Sequence, residues 1–171
     1  MDVSVVVPLL NEAENIEILY SELTLVLKGL GLRYEVVFVD DGSTDNSLEI
    51  LKRLQLSDPH LVVVALRKNF GQTAAMSAGF DMARGELIVA MDADLQNDPA
   101  DIPVLLKKID EGFDVVTGWR FDRKDPFLSR KLPSKIANLI ISFSTGVWIH
   151  DYGCTLKAFK HEVIKNIRLY G

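Results

Sequence analysis

Apolar residues along the chain fall into two alternating patterns: short unbroken runs, and longer stretches with apolar positions every three or four residues. The runs are "VSVVVPLL" (3–10), "YEVVFVDD" (34–41), "HLVVVAL" (60–66), "ELIVAM" (86–91) and "FDVVTGWR" (113–120). They predict five strands; the first and fourth are too continuously apolar to have one wet face. Between them lie helical patterns. Ile16, Leu19, Leu23, Val26 and Leu27 form one stripe, with Asn11 placed to cap the helix and Gly29 and Gly31 to end it. Leu48, Leu51 and Leu54 form a second stripe, "GQTAAMSAGFDMA" (71–83) is a small-residue helix ending at Gly85, and residues 100–110 form a helix stopped by Gly112. Residues 121–130 lack periodicity and predict a mobile loop. Ile136, Leu139, Ile140 and Phe143 then make an apolar stripe, favoured for packing on the sheet over facing a membrane. Strand–helix alternation of this kind predicts an α/β fold, a mostly parallel sheet with helices on both faces, in a single domain over 1–171.

In such a sheet ligands bind beyond the C-terminal ends of the strands. The polar clusters sit there: Asn11-Glu12 after the first strand, Asp40-Asp41 after the second, and Asp92, Asp94, Gln96 and Asp98 after the fourth. On a continuing strand Asp92 and Asp94 would point the same way about 7 Å apart. They would repel by roughly 2–3 kcal/mol at an effective dielectric of ~20. A turn reading is open, since Asp is common after strands. The all-oxygen set with Gln96 favours instead Mg²⁺ or Mn²⁺, which take one or two carboxylates plus substrate phosphates. Asp40, the last strand residue, is placed to accept hydrogen bonds from a nucleobase or ribose. Residues 41–47 read mostly as turn and cap.

Charge adds an asymmetry. Residues 1–119 carry 9 Lys and Arg against 20 Asp and Glu, residues 120–171 carry 10 against 4, and the net charge is −5. A basic last third suits anions such as phosphates or acidic headgroups, or is simply a solvated face. Cys154 is the single cysteine, which excludes an internal disulfide and argues against zinc. His60, His150 and His161 accompany no GxSxG signature, and neither GxGxxG nor a Walker A loop is present. No apolar run reaches the ~18 residues of a membrane span.

Together, "VVVPLLNE" (5–12), "VVFVDDGSTDNS" (36–47), "NFGQTAAMSAGF" (69–80), "MDADLQNDP" (91–99), "GWR" (118–120) and "DYGCTLKAF" (151–159) resemble family 2 glycosyltransferases. The nearer resemblance is to polyprenyl-phosphate sugar transferases, the dolichyl-phosphate mannose synthases and, through the "DYGC" form, their bacterial undecaprenyl-phosphate counterparts. The resemblance implies a GT-A fold and inverting, metal-dependent transfer from a nucleotide-sugar, UDP-linked rather than GDP-linked, to a polyprenyl phosphate. It implies that Pro8, Leu9, Asn11, Glu12, Asp40, Asp41 and Gln72 bind the donor, with Lys157 also on the substrate side. Asp92, Asp94 and Gln96 would surround Mg²⁺ or Mn²⁺ and the diphosphate. Arg120, Arg130 and Lys131 would meet the donor diphosphate and the acceptor phosphate, and Asp151 would position the acceptor or merely cap a turn.

Implied partners are the donor, the lipid acceptor and a membrane surface, with self-association left open, and no nucleic acid. The expected location is the cytoplasmic face of a membrane, the chain being an N-terminal part of a longer membrane-attached protein. Two departures stand out: Lys157 replaces a common arginine and Asp98 a frequent proline. The family's C-terminal membrane segments and the Gln-x-x-Arg-Trp motif of polymerising members are absent from this sequence. Alternatives are a GDP-mannose-dependent mannose synthase, transfer to a sugar hydroxyl, and a non-catalytic nucleotide-binding domain.

Overall fold

Valines placed at every second position, on both faces, make β1 (Val3–Leu9) a strand that can be stable only at the centre of a covered sheet. The computed structural model, which describes residues 1–119, 143, 151–167 and 169, puts it there. The elements that follow are α1 (Ile16–Gly29), β2 (Tyr34–Asp40), α2 (Ser47–Ser57), β3 (Leu61–Ala65), α3 (Gln72–Met82) and β4 (Leu87–Ala90). A 3₁₀ turn (Pro99–Asp101), α4 (Ile102–Asp110), β5 (Val115–Thr117), β6 (Lys157–Lys160) and α5 (His161–Lys165) complete them. The sheet order is β3-β2-β1-β4-β6-β5. The β1–β2, β1–β4 and β2–β3 pairs are parallel, and β6 runs antiparallel to both β4 and β5.

The two-residue period divides the core. Val3, Val5, Val7 and Leu9 face α1, α2 and α4, packing with Leu19, Leu23, Leu51 and Ile102. Val6, Val37, Val39 and Ile88 face the other way, against Ala75 of α3 and Ile164 of α5. The small residues of α3 let it lie close: a Cβ at Gly79 would fall 2.3 Å from Val6 Cγ1. This helix is therefore a strut held tightly on β1 and β2.

Two sequence expectations change. β6 was not anticipated, because "KAFK" has lysines at both ends and gives neither an apolar run nor a usable period. Ala158 is fully buried, while Phe159 meets Phe80 edge-on at 6.0 Å. Asn11 does not cap α1, which starts at Ile16 after Asn15; Asn11 instead adopts the left-handed conformation at φ +57° and serves the neighbouring loop.

Below the sheet's N-terminal edge, Glu35 is buried at 1% exposure yet fully engaged. It accepts from Ser4 Oγ (2.6 Å), from the Arg84 backbone N–H (2.7 Å) and from Arg84 Nε and Nη2 (2.9 and 2.6 Å). Burial alone would raise its pKa, but these bonds hold it below the ordinary glutamate value. A depressed folded pKa stabilises above the unfolded pKa and is lost as pH falls through the folded one. Removing Arg84 leaves the Glu35 charge buried with fewer partners, although exposure of the Arg84 side chain screens the loss. Arg84→Met is therefore expected to lower stability at neutral pH. Denaturant unfolding across pH should show the two proteins converging below the glutamate range, as Glu35 becomes protonated in both.

Candidate active site

The C-terminal ends of β1, β2 and β4 open on a cavity of about 280 Å³. Its first wall is the loop after β1, contributing Pro8, Leu9, Leu10 and Glu12. That loop is stitched to the one after β2 by side chains reading backbone. Asn11 Oδ1 accepts from the N–H of Thr44 (2.8 Å) and of Asp45 (3.3 Å). In return Ser43 Oγ accepts from Asn11 N–H (2.8 Å), Ser47 Oγ from Glu12 N–H (3.0 Å) and Asp45 Oδ2 from Ala13 N–H (3.2 Å). Partial burial pushes the Asp45 carboxyl up, but its bonds to Ser47 and Ala13 outweigh that and hold it below the usual range. Glu12 is half-buried, its Oε2 accepting from Asn15 Nδ2 at 2.6 Å.

The second wall is set by Asp41. Its two oxygens accept from the N–H groups of Phe70 (2.8 Å) and Gly71 (2.9 Å), fixing the loop that brings Asn69, Gly71 and Gln72 to the cavity. Asp40 is also buried, but its carboxylate accepts from Ser43 N–H (3.3 Å) and is not among the lining residues. Of the adjacent pair, Asp41 is the one at the cavity.

The third wall follows β4. The strand ends at Ala90, so Asp92 and Asp94 stand on a turn and the strand spacing used to place them does not apply. Both line the cavity. Asp92 is half-buried and accepts from Gln72 Nε2 at 2.7 Å. Asp94 is exposed, accepting from Gln96 N–H at 3.1 Å. Gln96 is exposed and outside the lining set. Asp98 accepts from Ala100 N–H at 2.8 Å and starts the 3₁₀ turn.

Asp151 and Lys157 are not among the residues lining this cavity. Asp151 is buried and accepts from Gly153 N–H at 3.1 Å, a turn-forming contact. Lys157, on β6, directs Nζ to the carbonyls of Tyr152 (3.3 Å) and Cys154. Arg120, Arg130, Lys131 and the stripe members Ile136, Leu139 and Ile140 lie outside the described residues. Asn69 and Gly71 were not singled out from sequence, although Asn-Phe-Gly directly after a strand is turn chemistry that marks a loop on this rim.

Among the described residues no three His, Cys, Asp or Glu side chains converge in a cluster able to hold a metal. Asp92 and Asp94, lining one cavity from the same turn, remain a fit for a hard cation whose other ligands are water and substrate phosphate, the usual arrangement for Mg²⁺.

Residues 4–168 match the family model described as Glycosyl transferase family 2. The chain belongs to glycosyltransferase family 2. Its curated relatives in this family include the dodecaprenyl-phosphate galacturonate synthase of Rhizobium johnstonii, 44% identical over 100% of this chain and 51% of that protein. Another is the undecaprenyl-phosphate 4-deoxy-4-formamido-L-arabinose transferase of Salmonella paratyphi B, 46% identical over 95% of this chain and 50% of that protein. The chain spans about half the length of these relatives. Among solved structures, glucosyl-3-phosphoglycerate synthase from Mycobacterium tuberculosis, in complex with Mn²⁺ and uridine-diphosphate-glucose, superposes with a TM-score of 0.73. The match covers 98% of this chain and 59% of that one at 20% identity, a likeness of fold. The mixed, mostly parallel six-stranded sheet of this family 2 chain is the expected GT-A architecture.

Proposed function

We propose that this family 2 domain transfers a sugar from a nucleotide-sugar, UDP-linked by preference, to a polyprenyl phosphate with inversion. The observation that carries the reading is that Asp92 and Asp94 open from the end of a central strand onto the same cavity as Glu12 and Asp41. The lipid acceptor follows from the two curated relatives, both named for polyprenyl-phosphate products or acceptors.

Asp92 and Asp94 would hold Mg²⁺ or Mn²⁺, which when bound supplies positive charge opposite the leaving diphosphate. Gln72 donates to Asp92 and so sets the direction of that carboxylate. Asp41 fixes the 69–71 loop that walls the nucleoside side, while the stitched 11–13 and 43–47 loops keep Glu12 in place. A phosphomonoester has a second pKa of about 6, so the acceptor is largely ionised at neutral pH and needs no strong base. Asp151, whose carboxylate accepts from Gly153 N–H, would position the acceptor, and Lys157 would serve the substrate side. Arg120, Arg130 and Lys131 belong to the basic last third and would receive the acceptor phosphate. Transfer would take place at the cytoplasmic surface of a membrane. Among the described residues no helix is long and apolar enough to cross one.

With two carboxylates, Asp92 and Asp94, offered from the β4 side of the cavity, cation and diphosphate should complete each other's coordination. Calorimetry is expected to show UDP binding at least tenfold tighter with Mn²⁺ than in EDTA, and tighter than GDP. Equal UDP affinity with and without metal would overturn the reading.

A further inference from the structure

Asn97 is a buried polar side chain (8% exposed) that the reaction as described does not use. Both ends of its amide are engaged by one distant segment: Nδ2 donates to Thr155 Oγ1 at 2.9 Å, and Oδ1 accepts from Cys154 Sγ at 3.7 Å. Two residues before it, Leu95 stands at φ +59°. A bulky residue rarely adopts this left-handed conformation, because its Cβ crowds the following carbonyl oxygen. Leu95 is also 37% exposed, so burial offsets little of that strain. Such a conformation persists only where its surroundings over-determine it. Asp94 and Asp98 make the flanking turn contacts, both exposed to water, whereas the Asn97–Thr155 clasp is part-buried and the Cys154 contact behind it is buried.

We propose that Asn97 and Thr155 are positioning residues that hold the strained Asp94–Asn97 turn so that Asp94 opens onto the donor cavity. The clasp also sets the turn against the far side of the site. Gly118, at the exit of β5, donates its N–H to Leu156 O at 2.8 Å, and a Cβ there would lie 3.1 Å from Cys154 Sγ. The turn bearing Asp94, the exit of β5 and the segment after Asp151 thus pack as one unit. Relaxation of Leu95 without the clasp would swing Asp94 while leaving the walls built by Glu12 and Asp41 intact.

The inference rests on the proposed role of Asp94 in metal-linked donor binding, and the experiment separates the two. UDP affinity is measured by calorimetry with Mn²⁺ and in EDTA for wild type, Thr155→Val, Thr155→Ser, Thr155→Val with Leu95→Gly, and Asp94→Ala. Valine matches threonine in shape and lacks the hydroxyl. It is expected to weaken Mn²⁺-dependent UDP binding about tenfold and leave the EDTA affinity within twofold. Serine should keep wild-type affinity. Glycine at 95, which adopts φ > 0 without strain, should restore most of the loss. If Thr155→Val does not fold, Thr155→Ala serves in its place. Wild-type Mn²⁺-linked binding by the valine protein, an equal loss with and without metal, or no rescue by Leu95→Gly would each overturn the clasp. Loss in Asp94→Ala alongside wild-type behaviour of Thr155→Val would overturn the clasp alone. An Asp94→Ala protein that binds like wild type would overturn both.

Discussion

Asp94→Ala is expected to lower kcat for sugar transfer by about 10³-fold or more while leaving the fold intact. Asp94 is exposed and makes one local contact, to Gln96 N–H, so its loss should change stability by no more than ~0.5 kcal/mol. Its importance lies in charge. A pre-placed charge that stabilises a leaving group contributes ~3–4 kcal/mol per group, or about two to three decades in rate. Under the proposed reading Asp94 is also a cation ligand, and its loss would leave the cation poorly placed opposite the leaving group, which takes the effect to the upper end. Asp94→Asn keeps the acceptor for Gln96 and should fall between. Steady-state kinetics with saturating Mn²⁺, beside thermal melts, would check this: a tenfold loss or less means that the carboxylate is peripheral.

Gly42→Ala should produce the largest loss of stability. Gly42 sits at φ +72°, where a side chain is strained in any surroundings, and an added Cβ would lie 2.4 Å from the Lys68 carbonyl carbon and 2.6 Å from Asn69 N. Both are backbone atoms and cannot swing aside. The loop after β3 would have to move, breaking the bonds from Phe70 and Gly71 to Asp41 that shape the cavity. A loss of about 3 kcal/mol or more is expected, roughly 6–12 °C in Tm for a domain of this size, with weakened donor binding. Gly29→Ala is the matched control: nothing lies within 4 Å of its added Cβ at the end of α1, so it should be neutral or slightly stabilising. Equal melting of the two variants would refute the close-approach argument.

The central strands were legible because a sheet buried on both faces leaves continuous valine-rich runs, and Val3–Leu9 and Tyr34–Asp40 follow those runs within a residue or two. The helices were legible through their stripes, with Gly31 and Gly112 at φ +67° and +108° beyond the ends of α1 and α4. β6 was not, since a four-residue strand between two partners is chosen by its neighbours rather than by its own pattern. The site was legible as a rim but not in its fine assignment. Asp40 and Asp41 are adjacent, and which one reaches the cavity depends on where the strand stops and on the 69–71 loop, a contact about thirty residues away. The spacing of Asp92 and Asp94 on a continuing strand does not apply, because β4 ends at Ala90. Nothing in the sequence singles out Asn97, because its partners, Cys154 and Thr155, lie nearly sixty positions on.

Insertion of β6 between β4 and β5 also constrains how the molecule is built during synthesis. The four parallel strands and α1 to α4, which cover them, are encoded before residue 111 and can assemble on the ribosome as they emerge, with α5 following later. β5 ends at Thr117, but the strand that anchors it begins at Lys157, so that edge waits until the residues between them have been synthesised. A nascent chain should acquire the half that bears the cavity first and dock the opposite edge last. A pause in translation between those two points would leave a half-built enzyme, with its acidic pocket formed and its outer strand unpaired.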